Sequence, residues 1–133
     1  MNKAIFIALA AALLSACTPS PQQETGTAIE QQQAGIVEIT TFKLNPDVSQ
    51  ADFEAAASTV QHTFLEQQNG FISRTLTVSQ DGIWTDVVYW KDQQSVENTM
   101  KLSETSEVVL ALMQLVDFNS VKMNLTTPVV LEE

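Results

Sequence analysis

The spacing of apolar and polar residues changes period several times along this chain, and each change marks an element. From Ile36 to Leu44 the residues are mostly β-branched or aromatic and the run is stopped by Asn45-Pro46, which predicts a strand. Ser49 followed three residues on by Asp52 is an acidic variant of a helix capping box. Phe53, Ala56, Ala57, Val60 and Phe64 then recur at helical spacing, and Asn69-Gly70 closes the segment. Phe71 to Val78 alternates, Ser79-Gln80-Asp81-Gly82 turns, and Ile83 to Trp90 alternates back, the pattern of a β-hairpin. After Lys91-Asp92 the period is helical again, in two pieces at 93–102 and 106–115, the second with a stripe of Val108, Val109, Leu112 and Leu115. Asp117-Phe118-Asn119 breaks that helix, and 120–125 reads as the last strand.

The order βαββαβ predicts an α+β, ferredoxin-like domain: a four-stranded antiparallel sheet with its helices on one face. The two central strands carry Ile72, Leu76, Val78, Trp84, Val88, Tyr89 and Trp90, with apolar side chains pointing both ways. A second layer is therefore expected over the open face.

Upstream, Lys3 precedes an apolar run from Ala4 to Leu14 and then Leu14-Ser15-Ala16-Cys17. A cationic start, about 7–15 apolar residues and a small-residue cleavage site are what a secretory signal presents. The run is shorter than the roughly 20 residues of a spanning helix. The last four residues resemble the lipobox of bacterial lipoproteins, which implies cleavage before Cys17 and acylation of that cysteine. In that resemblance Thr18, standing where aspartate would signal inner-membrane retention, implies the periplasmic face of the outer membrane. The expected organisation is a signal peptide at 1–16, lipidated Cys17 with a linker to 34, and one domain at 35–133. The linker, Thr-Pro-Ser-Pro followed by Gln, Glu, Thr, Gly and Ala, offers little to bury and would hold the domain about 20–25 Å from the bilayer. Gln31-Gln32-Gln33 could instead start a helix.

Composition narrows the chemistry. The chain has 16 Asp and Glu against 6 Lys and Arg and a formal net charge of -10, which argues against nucleic acid or anionic lipid as partner. Its single cysteine is Cys17, so no intramolecular disulfide is expected. No cluster of His, Cys and spaced carboxylates suggests a metal, and no Gly-rich phosphate loop or Gly-x-Ser-x-Gly signature is present. No cofactor is expected. His62 lies nine residues beyond Phe53, on the side of its helix away from the apolar stripe, and reads as a solvated residue.

The run Val37 to Leu44, an amphipathic helix from Ala51, Asn69-Gly70-Phe71-Ile72-Ser73-Arg74, and Asp81 through Val87-Val88-Tyr89-Trp90 together resemble the dimeric α/β-barrel superfamily that contains the antibiotic-biosynthesis monooxygenases. The resemblance covers essentially all of 35–125. It implies a homodimer whose two sheets close into one barrel, each open face lining a cavity. The haem-degrading branch of that superfamily takes its iron ligand from a histidine of the second helix, and 93–115 contains none.

Site geometry depends on the hairpin. A three-residue loop Gln80-Asp81-Gly82 sets Leu76 opposite Asp86 and puts Arg74 and Asp86 on one face with Trp84 and Trp90. A two-residue turn at Asp81-Gly82 would separate Arg74 from Asp86. With the former, Trp84, Trp90 and Tyr89 would supply aromatic surface for a hydrophobic or aromatic small molecule, and Arg74 and Asp86 orientation and charge, with Asp86 or Arg74 as catalytic candidates. The same residues would equally serve as a register-fixing ion pair and a packed core. The expected function is a lipid-anchored periplasmic module that binds a small molecule or a partner. The alternatives are a cofactor-independent monooxygenase acting on an aromatic or phenolic substrate and a structural dimerisation domain. The apolar tail 126–131 would add a strand to a partner sheet or fray.

Overall fold

The computed structural model describes residues 33–132; the expected signal peptide at 1–16, Cys17 and nearly all of the expected linker lie outside them. Strand β1 is Ile36–Leu44, helix α1 Gln50–Thr63, β2 Phe71–Val78, β3 Trp84–Trp90, α2 Gln93–Ser103, α3 Glu107–Met113 and β4 Val116–Thr126. The strands form one antiparallel sheet in the order β2-β3-β1-β4. This is the expected ferredoxin-like order, with the second helical segment in its two expected pieces.

Local chemistry sets the boundaries. Ser49 caps α1, its hydroxyl accepting from the Asp52 amide at 3.1 Å and donating to the Asp52 carboxylate at 2.7 Å. Asp92 caps α2 in the same way through Ser95. Helix α1 stops at Thr63, earlier than its apolar spacing suggests, and a short 3-10 turn at Leu65–Gln67 carries the chain to Gly70. Gly70 holds φ 84, and a Cβ there would come within 2.0 Å of the Ser95 hydroxyl, so glycine lets the helix exit pass against the start of α2.

The last strand starts earlier than the sequence suggests. Asp117-Phe118-Asn119 does not end the helix but lies in a bulged stretch of β4, where the register against β1 jumps from Thr41↔Lys122 to Lys43↔Asp117. Side chains take over from the interrupted ladder there. The Ser120 hydroxyl accepts from the Lys43 amide at 2.8 Å and donates to the Asp117 carbonyl at 2.6 Å, and the Asp117 carboxylate accepts from the Asn119 amide at 3.1 Å.

The hairpin between β2 and β3 uses the three-residue loop. The Ser79 amide donates to the Ile83 carbonyl, the Gly82 amide to the Ser79 carbonyl, and Gly82 holds φ 79. Leu76 consequently pairs with Asp86 and Val78 with Trp84. Alternation then places Trp84, Asp86, Val88 and Trp90 on one face of β3, and Thr85, Val87 and Tyr89 on the other.

All three helices pack on the face that carries the tryptophans. Phe53 of α1, fully buried, meets Trp84 at 4.6 Å and Phe42 at 5.4 Å between ring centroids, and Phe71 meets Trp90 edge-on at 5.9 Å. Trp84 and Trp90 are 4% and 1% exposed within a single chain. The expectation that a second copy seals these rings is therefore corrected: the protein's own helices do so.

Candidate ligand site

Between the helices and the sheet lies a cavity of about 390 Å³. Its walls are mostly apolar, drawn from Phe42, Phe53, Phe64, Val88, Val109 and Leu112 among others, and half-exposed Leu110 of α3 and Met123 of β4 stand among them. A set of polar groups on adjacent strands breaks this surface: Glu38 and Thr40 of β1, Arg74 of β2, and Asp86 of β3. All four point to the helix-covered face, because Thr40 pairs with Asp86, Glu38 with Val88, and Val88 with Arg74. Arg74, Asp86 and Trp90, expected to line a cavity on the open face, instead line one between the helices and the sheet of a single chain. The reason is that both sheet faces carry apolar residues, and the face bearing the larger rings is the one the helices cover.

Arg74 and Asp86 are brought together as a diagonal pair. The Arg74 Nε donates to Asp86 Oδ1 at 2.9 Å and Nη2 donates to Oδ2 at 2.6 Å, a two-bond clamp. The remaining arm, Nη1, donates at 3.0 Å to the carbonyl of Ala57 on α1. Ala57 is buried, and its small side chain lets helix and sheet approach closely enough for this bond. The Arg74 side chain is 3% exposed and that of Asp86 17%. The pair therefore joins two strands and a helix in the cavity wall. Both Asp86 oxygens are engaged by Arg74, so this carboxylate serves the wall rather than a ligand.

The structure separates the predicted aromatic residues. Trp90 lines the cavity; Trp84 packs behind it, stacked at 6.5 Å on Phe42. Tyr89 lies on the opposite, open face and is removed from the cavity wall by strand alternation. His62 is well exposed and forms a 3.1 Å contact with Glu66, as its helical position implies. Among the described residues no group of three or more His, Cys, Asp or Glu converges to hold a metal.

Glu38 is the residue that the sequence reading passed over. Its Oε2 accepts from the Trp90 indole N–H at 3.0 Å. Burial pushes its carboxyl above the ordinary carboxylate range; the Trp90 bond opposes this, the nearby negative charge of Asp86 adds to it, and Arg74 opposes it. Beside it, the Thr40 hydroxyl is buried with no hydrogen-bond partner among the described residues. The signal was present in β1, where a carboxylate interrupts β-branched residues two positions from Thr40 and four from Phe42 on the same side.

No family model matches the chain, and no curated protein does. Solved structures do match. SnoaB, a cofactor-independent oxygenase from Streptomyces nogalater, superposes with a TM-score of 0.62 at 18% identity, over 74% of this chain and 96% of its own. The monooxygenase ActVA-Orf6 of Streptomyces coelicolor, solved in complex with nanaomycin D, gives 0.58 at 19% identity over 79% and 98%. A conserved protein from Methanosarcina mazei Go1 gives 0.59 at 17% over 73% and 95%. This chain has their fold. At such identities the likeness extends to architecture, and the chemistry must be argued from the residues above.

The clamp makes a measurable demand. Arg74→Leu leaves Asp86 partly buried without its cation and should cost about 3–5 kcal/mol in urea denaturation, while Arg74→Leu with Asp86→Leu should recover most of the loss. A single-variant cost below about 1 kcal/mol, the range of surface pairs, would show that the clamp does not hold the wall.

Proposed function

We propose that each protomer binds a flat, hydrophobic aromatic molecule bearing a hydroxyl group and oxidises it with dioxygen without a cofactor. The observation that carries this reading is the cavity itself: about 390 Å³ of mostly apolar space with a group of polar side chains, Glu38, Thr40, Arg74 and Asp86, on three adjacent strands. A purely structural domain would fill that space with its own side chains. Pockets of this size and lining suit small ligands, with a few polar groups fixing orientation. The fold shared with SnoaB, itself a cofactor-independent oxygenase, favours oxidation over binding alone.

The reaction balances without a further reductant. A bound phenol loses its proton, the phenolate gives an electron to dioxygen, and the radical pair joins at the para carbon as a hydroperoxide. Loss of water leaves a quinone, with one oxygen atom of dioxygen in the product and the other in water. Arg74, in its clamp with Asp86 and its bond to the Ala57 carbonyl, keeps the polar end of the cavity wall fixed around the bound molecule. With 1-naphthol under ¹⁸O₂, the protein should consume oxygen faster than buffer does and yield 1,4-naphthoquinone carrying one ¹⁸O. Binding of 1-naphthol with no catalysed uptake would reduce the function to that of a binding module.

Two further parts of the reading concern assembly and address. Val37, Ile39, Val87 and Tyr89 lie side by side at the centre of the open sheet face, with Thr41, Thr75, Thr77 and Thr85 around them. This surface supports a homodimer paired face to face. Tyr89→Arg at its centre should sediment as a single subunit while the wild-type domain sediments as two; a wild type sedimenting as one subunit at micromolar concentration would end the dimer reading.

The lipobox-like Leu14-Ser15-Ala16-Cys17 supports attachment to the periplasmic face of the outer membrane through acyl chains on Cys17. Cells fed labelled palmitate should incorporate it into the wild-type protein and not into Cys17→Ser, which should appear in the soluble fraction. Equal labelling of both would overturn the anchor.

A further inference from the structure

We propose that Glu38 is the catalytic base of this cavity: it takes a proton directly from an acidic O–H or C–H of the bound molecule, with the Trp90 indole holding the carboxylate in position. The inference rests on the reading that the cavity receives a small aromatic molecule; it does not depend on the later reaction with dioxygen.

Three observations converge on Glu38. It lines the cavity from the middle of the sheet, where the strand fixes its backbone. One carboxylate oxygen, Oε2, is tied at 3.0 Å to Trp90, whose ring is almost completely buried and cannot swing away. The other, Oε1, bonds to no protein group among the described residues, so it is the oxygen available to a ligand. Of the charged side chains lining the same cavity, Arg74 and Asp86 are committed to each other, and Glu104 lies in an exposed position after α2. Desolvation beside apolar walls makes the Glu38 carboxylate a stronger base than one in water, which agrees with the direction of its shift. The unpaired Thr40 hydroxyl neighbours it on the same strand face.

The step is a simple proton transfer. For a ketone with an acidic C–H, the carboxylate forms an O–H bond, the C–H bond breaks, and its electron pair moves into an enolate. Neither oxidant nor cofactor enters. In D₂O the carboxylic acid exchanges its proton with solvent and returns deuterium to carbon, so that isotope exchange records the transfer.

The test uses 2-tetralone, a bicyclic ketone with one aromatic ring and acidic benzylic protons, under anaerobic conditions. Wild-type protein should speed the loss of those protons, followed by NMR, above the buffer rate. The active form is the carboxylate, so the catalysed rate should rise with pH and level off, with its midpoint above 4.5. Glu38→Gln keeps the length of the side chain and an oxygen acceptor for Trp90. It should bind 2-tetralone as judged by quenching of tryptophan emission, yet lose catalysed exchange about 100-fold or more. Glu38→Asp, with its carboxylate drawn back by one carbon, should fall between the two.

Unchanged exchange in Glu38→Gln would overturn the proposal, as would a wild type that binds 2-tetralone without accelerating exchange. Failure of 2-tetralone to quench the wild type would overturn the cavity reading and this inference with it. Catalysed exchange without oxygen uptake from 1-naphthol would leave Glu38 as a base and remove only the oxygenase step.

Discussion

Strand register between β2 and β3 is the constraint on which the site depends. Side chains alternate every residue, so a slip of one position would send Asp86 to the open face and leave Arg74 buried against α1 without a counter-charge. The turn prevents this. Gly82 takes the left-handed conformation that closes the three-residue loop, and the Ser79 hydroxyl reinforces it by accepting from the Ile83 amide and donating to Asp81. The clamp between Arg74 and Asp86 then reports the same register from the middle of the strands. Turn chemistry and electrostatics agree, and this agreement between local and long-range preferences is what selects one structure from its neighbours.

Against that background the polar groups of the cavity are costly. A buried carboxyl at Glu38 and an unpaired hydroxyl at Thr40 both oppose folding, and apolar residues of similar shape would fit the same strand. The raised folded-state value of Glu38 means that its favourable contribution to stability is present in acid and is lost as pH rises through that value. Near neutrality the group therefore works against the fold, which is the usual mark of a residue kept for what it does rather than for what it holds together.

Much of the fold was legible in the sequence because it rests on local signals. Ser49 and Asp52 announce α1, Gly82 announces the loop, and the alternation around it correctly paired Leu76 with Asp86. The helix-covered side of the sheet was not legible, because Val37, Ile39, Val87 and Tyr89 make the open face apolar as well. Period-two alternation defines two faces without saying which is in. The β4 bulge was missed for a different reason: Asp117, Asn119 and Ser120 have the composition of a break, and it is long-range contacts, the pairing of Asp117 with Lys43 and the bond from the Lys43 amide to Ser120, that carry the strand through them. Tyr89 was grouped with the tryptophans by adjacency, and parity separates them.

The cavity's position between the chain's own sheet and helices sets how a guest would come and go. Leu110 on short helix α3 and Met123 on the outermost strand are both half-exposed where they meet the cavity. The open face lies on the other side of the sheet from that route. Traffic would then be governed by small excursions of α3 away from β4. Such a vessel fills and empties through its own rim, with the four-stranded sheet as its fixed floor.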